Sequence, residues 1–294
     1  MLRMNLNDLL AGTGIDTSEV IVFRHRPNEP ELRKVLPWLA AEKPELFNAY
    51  QQTHSSRVEN AMRGAKYVAS FIGHEPAKAL FVGLYSIGET RTVTREEFWE
   101  IPAYAELKPF GMRGFAEEDD RTSVLWFDLT RTDFYEQWKG KLVVGWPPPE
   151  RSWWRRAHKN AIPVLAIHEE SVLDAGVPQW DEINLTWDEL RVLPASWRAK
   201  LSEWRAIYYI FDTSAGRGYV GSAYGADNIL GRWMNYAASG HGGNRLLRQR
   251  SADHFQFSIL QRVSPDMHAE DIIRIENSWK SRLHTRAPNG FNEN

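Results

Sequence analysis

Two short apolar runs, AIYYIF (206–211) and GYVGSA (218–223), are split by the turn-like stretch Asp212-Thr213-Ser214-Ala215-Gly216-Arg217-Gly218. Runs this short, rich in β-branched and aromatic residues and joined by a tight bend, read as an antiparallel hairpin. Gly216 and Gly218 supply the freedom for positive φ at the bend. Tyr208 and Tyr219 are eleven residues apart and fall on one face of such a hairpin, while Tyr209 points to the other.

Beyond the hairpin, Arg232 lies in Gly231-Arg232-Trp233. Glu276 lies in the segment 271–279, where Ile272, Ile275 and Trp279 recur at helical spacing. Glu276 therefore sits beside the apolar stripe of a helix, near the rim of a core. Taken singly, these are ordinary helix charges and ordinary strand tyrosines. Taken together, two phenols, a guanidinium and a carboxylate suit phosphodiester hydrolysis, which needs an activated water and neutralised phosphoryl oxygens. An arginine forks two donors onto a phosphate and stays charged at any usable pH. A single carboxylate suffices for Mg²⁺, which keeps several waters. A phenol with an ordinary pKa of about 10 acts as a base only beside a cation. Arg245, Arg248 and Arg250 cluster after the loop Ser239-Gly240-His241-Gly242-Gly243-Asn244. They read either as a rail for phosphates or as a solvated face.

The stretch from Ala206 to Asn292 resembles the GIY-YIG nuclease superfamily, which includes homing endonucleases, some type II restriction enzymes and the incision subunit of nucleotide excision repair. Ala206-Ile207-Tyr208 stands for the first motif, with Ala where the family usually has Gly. Tyr219-Val220-Gly221 stands for the second, with Val for Ile. Arg232 matches the family arginine on the helix after the hairpin, and Tyr236 the His or Tyr one turn later. Glu276 matches the metal-binding glutamate, and Asn292, in Asn289-Gly290-Phe291-Asn292, a terminal structural asparagine. The resemblance implies a small α/β domain, a short antiparallel sheet flanked by helices, that cuts DNA with Mg²⁺ (or Mn²⁺) at Glu276. It makes Tyr208 the general base and Tyr219 the group that positions water or phosphate. The residues alone leave those two roles exchangeable. It gives His241 an assisting role, and Asn292 that of locking a backbone segment near Glu276.

Ahead of this stretch, runs at 20–26, 67–72, 79–85, 124–129, 142–146 and 162–167 read as strands, and 29–52 and 57–66 as helices. Short strands with long loops suggest a mixed β-barrel-like domain. Nine of the 13 tryptophans precede Ser196. The densest aromatic spot, 145–156, places Arg151, Trp153 and Trp154 together, a mixture that either stacks on a nucleobase and holds its phosphates or plugs a core. At the level of fold alone this domain is similar to the PUA-like and EVE-like readers of modified bases.

The 294 residues suggest two domains, which we place at 1–190, for target recognition, and 191–294, the nuclease. The expected class is α+β. Net charge is −2, but from Ser196 onward 13 Lys and Arg face 9 Asp and Glu, a balance of +4 against −6 before it. The basic half is the one expected on a polyanion. There is no cysteine, which excludes disulfides, cysteine nucleophiles and zinc fingers. No apolar run approaches the roughly 20 residues of a membrane span, and MLRMNLNDLL has no signal-peptide pattern, so a soluble cytoplasmic protein is expected. The leading expectation is a metal-dependent DNA endonuclease of the restriction or defence type, with two copies or sequential nicks for double-strand cleavage. The alternatives are a nucleic-acid-binding protein with an inactive nuclease module, or a repair or recombination nuclease acting on damaged or branched DNA.

Overall fold

In a computed structural model, which describes residues 4–73, 75–116, 118–173, 176–225 and 228–293, the chain divides into two units, 1–175 and 176–294. The boundary expected at 190/191 falls inside the second unit. The reason is a short strand at Asn184–Thr186, which pairs with Phe257 and its neighbours in the second sheet.

In the first unit the strands are β1 (Val20–His25), β2 (Tyr67–Gly73), β3 (Lys78–Thr94), β4 (Ser123–Arg131), β5 (Leu142–Gly145), β6 (Trp154–Arg156) and β7 (Val164–Ile167). The helices are α1 (Leu6–Gly12), α2 (Pro30–Glu42), α3 (Pro44–Gln51), α4 (Ser56–Met62), α5 (Arg95–Glu100) and α6 (Pro102–Leu107). The segment read as one helix over 29–52 is two, because Pro44 has no N–H to continue α2 and keeps Lys43 out of helical geometry, at φ −126°, ψ 61°. The sheet runs β6-β1-β2-β3-β5-β7, with β4 on the far half of the long β3. β1 and β2 are parallel, as a connection through three helices permits, and the other pairs are antiparallel. Every residue of β1 is buried, as expected of a strand covered on both faces. Val20, Val22, Ala69, Phe71, Phe81 and Leu84 build one core with Leu6 and Leu10 of α1. The expected barrel-like sheet forms in part, a curled half-barrel that does not close: its path ends at β6 and β7, strands of three and four residues. Very short edges offer little to pair with.

In the second unit, β8 (Asn184–Thr186), β9 (Ala206–Asp212), β10 (Arg217–Ala223) and β11 (Phe255–Arg262) form a sheet in the order β10-β9-β11-β8. All its pairs are antiparallel. The helices are α7 (Trp187–Arg191), α8 (Ala195–Glu203), α9 (Asn228–Ser239) and α10 (Ala269–Arg282). Thr186 and Glu189 close a reciprocal cap on α7, as their spacing predicts. α8 starts at Ala195, with Pro194 at the N-cap. The β9–β10 hairpin forms in the expected register, Tyr219 opposite Ile210 and Gly221 opposite Tyr208. At its turn Gly216 takes φ +65°. Gly218 does not enter the left-handed region; its missing side chain makes room for the Tyr209 ring, which a Cβ there would strike. Asp212 ties the turn with Oδ1, accepting from the Ser214 and Ala215 N–H groups at 2.9 and 3.1 Å.

Alternation along β9 sorts the sheet faces. Ile207 and Tyr209 join Val220, Val263 and Ile272 in the layer under α10. Tyr208 lies on the opposite face with Tyr236 of α9. That face is closed by Trp233 of α9 on Phe257 of β11, ring centres 5.7 Å apart.

Candidate active site

Three phenols meet on the α9 face. The ring centres of Tyr208, Tyr219 and Tyr236 are 6.2–6.4 Å apart in every pairing, and the Tyr208 and Tyr236 hydroxyls are 3.3 Å apart. Their close packing depends on two glycines. A Cβ on Gly221 would strike the Tyr208 ring, and one on Gly242 the Tyr236 ring. Tyr208 and Tyr236 are fully buried, whereas Tyr219 is half-buried. Burial, and then the neighbouring Tyr219, pushes the Tyr208 phenol up. Burial, and then Tyr208, does the same to Tyr236. Arg232 stands among them on α9. The Tyr208 phenol holds its guanidinium above the ordinary value, against the opposing effect of burial. Its Nε is buried with no hydrogen-bond partner among the described residues.

Glu276 approaches from the other face of the sheet, on α10. Ser222 Oγ of β10 donates to its Oε2. Lys280 Nζ, one turn along α10, pairs with its Oε1 at 2.8 Å. Both partners are largely enclosed, with side chains 6% (Lys280) and 15% (Glu276) exposed. The two faces meet because β10 is the outer strand of the sheet. Beside it lies an open cavity of about 590 Å³ whose lining includes Tyr219, Ser222, Arg232, Arg245, Glu276 and Lys280.

Asn292 secures this outer strand. Its Oδ1 accepts from Val220 N–H at 3.0 Å and its Nδ2 donates to the Val220 carbonyl at 2.8 Å. An amide side chain thus takes the place of a neighbouring strand, two residues from the serine that holds Glu276. The Phe291 N–H donates to the Gly218 carbonyl at 2.9 Å. Gly290 leaves room for the Thr285 backbone, which a Cβ would overlap.

The remaining sites read from the sequence separate. His241 does not line the cavity; its Nδ1 accepts from the Gly243 N–H at 3.0 Å within its own loop. The three arginines of the basic cluster take three roles. Arg245 lines the cavity, is paired with Glu293 at 2.6 Å and is highly exposed. Arg248 is exposed. Arg250 donates to the buried Asp212 at 2.6 Å and to Ser214, and so braces the hairpin turn. Arg151, Trp153 and Trp154 belong to the first unit. Trp154 receives Arg57 on its face at 5.7 Å. Ser222 and Lys280 were not singled out from the sequence. Lys280 had a local signal, the Glu-to-Lys spacing of four on one helix; Ser222 had none.

Two solved structures show similarity to this chain. One is the catalytic domain of the homing endonuclease I-TevI, with 27% identity over 31% of this chain and 98% of that one, and a TM-score of 0.26. The other is a mutant of the catalytic domain of the intron endonuclease I-TevI, with 26% identity over 30% and 92%, and the same TM-score of 0.26. No family model matches the chain, and no curated protein matches it.

Proposed function

We propose that residues 176–294 form a divalent-metal-dependent endonuclease acting on DNA, and that residues 1–175 choose its target. One observation carries the reading: Tyr219, Arg232 and Glu276, from a strand and two helices, line the same open cavity. Among the described residues no group of three or more His, Asp or Glu could hold a metal. The donor set is therefore sparse, the Glu276 carboxylate with the Ser222 hydroxyl beside it. It fits Mg²⁺, which accepts one carboxylate and completes its shell with waters and substrate phosphate. Such an ion, when bound, neutralises phosphoryl oxygens and makes a bound water more acidic. Arg232, with an unsatisfied Nε, forks onto the phosphoryl oxygens. Tyr219, the phenol that reaches the cavity, orients the attacking water, and only after giving up its own proton to solvent, as a phenolate beside Arg232 and the ion, can it take the proton of that water. We assign that role to Tyr219 rather than Tyr208 because Tyr208 is fully buried and burial pushes its phenol up. Tyr208 and Tyr236 then hold Arg232 in place.

Cleavage of supercoiled plasmid in Mg²⁺ or Mn²⁺, lost in Glu276→Gln and in Tyr219→Phe, is the expected result. A folded protein that leaves plasmid, phage and branched DNA intact in either metal would refute it. With one set of Tyr219, Arg232 and Glu276 per chain, a double-strand break requires two copies or two successive nicks. The separate first unit with its own large cavity is our reason for favouring restriction of foreign DNA over shape-directed repair. One feature favours a second reading, a DNA-binding module with a silent nuclease: Lys280 already occupies Glu276. Under that reading DNA binding survives while no metal restores cutting.

A further inference from the structure

The first unit holds a cavity of about 920 Å³, within the range of about 300–1,000 Å³ typical of small-ligand sites. Its walls come from the end of β1 and the start of α2, the α3–α4 junction, the loop after α6 and the segment before β6. Three features define its chemistry. The first is an aromatic wall. Trp153 lies against His54 at 5.6 Å and 37°, and both rest on Phe23, at 5.2 and 4.8 Å.

The second feature is an unmet polar atom in that wall: His54 Nε2 is buried and has no hydrogen-bond partner among the described residues. Burial lowers His54 to about 3 and its neighbour His25 to about 4, so both rings are neutral at pH 7. Neutral rings leave the wall without charge, a face for stacking.

The third feature is the rim. Arg26, Arg113 and Arg151 line the opening, are exposed, and make no hydrogen bond or ion pair with another described residue. The other lining arginines are engaged. Arg24 donates to the Lys78 carbonyl at 3.1 Å, Arg33 to that of Pro27 at 2.8 Å, and Arg121 pairs with Asp119 at 2.8 Å. Two carboxylates also line it: Glu150 is offset by Arg24 at 3.5 Å, and Glu29, whose charge adds to burial in holding the Tyr50 phenol above its ordinary value, subtracts from the positive charge of the rim. Three arginines without a partner among the described residues outnumber the one carboxylate, Glu29, left beside them, and with the aromatic wall they suit a planar ring that carries an anion at one end.

We propose that this cavity binds one nucleotide, with the base inside against Trp153 and His54 and the phosphate on the Arg26, Arg113 and Arg151 rim. Aromatic stacking and arginine–phosphate forks are the two interactions by which proteins take up single nucleotides, whether free or turned out of a strand. The proposal does not depend on the nuclease reading, because it concerns another unit and its test requires no cleavage.

The test uses the full chain in EDTA, titrated with the four 5′-deoxynucleoside monophosphates and with 12-nucleotide single strands, followed by calorimetry. Saturable binding is expected, weakened about tenfold or more by Arg113→Glu with Arg151→Glu, both on exposed side chains that make no hydrogen bond or ion pair with another described residue. Trp153→Leu should weaken binding of the same probe, with a melting curve confirming that the variant is folded. Tighter binding of monophosphates identifies a free nucleotide as the ligand. Tighter binding of strands, equally sensitive to the two glutamates, identifies a nucleotide within a nucleic acid. No binding of either probe at millimolar concentration, or binding indifferent to the charge reversals, overturns the proposal.

Discussion

Replacing Lys280 with methionine should make the second unit less stable without metal and raise its apparent affinity for Mg²⁺. The ammonium lies 2.8 Å from Glu276 Oε1, with both side chains largely shielded. At that separation, with an effective dielectric of about 20, the bare attraction is about 6 kcal/mol. Much of it offsets the loss of hydration of both ions, and removing one partner of a fully buried pair costs about 3–5 kcal/mol. Glu276 is not fully buried and Ser222 still donates to it, so a net cost of about 2 kcal/mol is the working figure. A cation arriving at Glu276 must overcome the same 2 kcal/mol to displace Lys280. Without the lysine that cost vanishes, which corresponds to roughly 30-fold tighter Mg²⁺ binding. Thermal melts with and without Mg²⁺, and direct Mg²⁺ titration, read both effects. The variant should melt lower in EDTA and recover in millimolar Mg²⁺, since an ion that binds only the folded state stabilises it. Equal Mg²⁺ affinity and an equal Mg²⁺-induced melting shift in the two proteins would refute competition at Glu276.

Arg232→Lys should keep the charge but lose the fork, and lower the cutting rate about 10²-fold with an unchanged melting temperature, as measured by single-turnover plasmid nicking. Gly221→Ala should destabilise the second unit by about 1–3 kcal/mol, because the new methyl meets the buried Tyr208 ring; denaturant unfolding measures this. Burial works to raise the Asp212 carboxyl, but Arg250, Ser214 and the turn N–H groups outweigh it and hold the carboxyl below its ordinary value. A depressed folded pKa gives stability that is present above the unfolded value, about 4, and lost as pH falls through the folded one. Melts between pH 6 and 2 should therefore show an acid-side loss that is smaller in Arg250→Ala; identical pH profiles would contradict this.

The hairpin was legible because every determinant is local. Turn residues, alternation and the paired glycines lie within 206–223, and the fold follows them closely. Gly218 shows the limit of that reading. Sequence marks a glycine before a strand as a turn residue, yet here it is required by a ring from the neighbouring strand. Pro44 carries a local signal of the same kind, yet the apolar stripe through 29–52 overrides it and leads to one helix where two form. Barrel closure was not readable, because it depends on whether two edge strands meet, and no local pattern encodes that.

The convergence of the site lay beyond reach for a related reason. Tyr219 and Glu276 sit on opposite faces of the sheet, and strand alternation by itself would separate them. They share a cavity only because β10 is the outermost strand, so that side chains from both faces reach around its free edge. That edge can remain open to a phosphate only if no further strand pairs there. Asn292 secures this, meeting the Val220 N–H and carbonyl with one amide and leaving the stretch near Ser222 uncovered. The basic cluster fails as a unit for the same kind of reason: Arg250 is drawn to a carboxylate 38 residues away that the hairpin turn had to bury. A side chain's role here is set by which strand is last in the sheet, a property of the whole chain that its own segment does not carry.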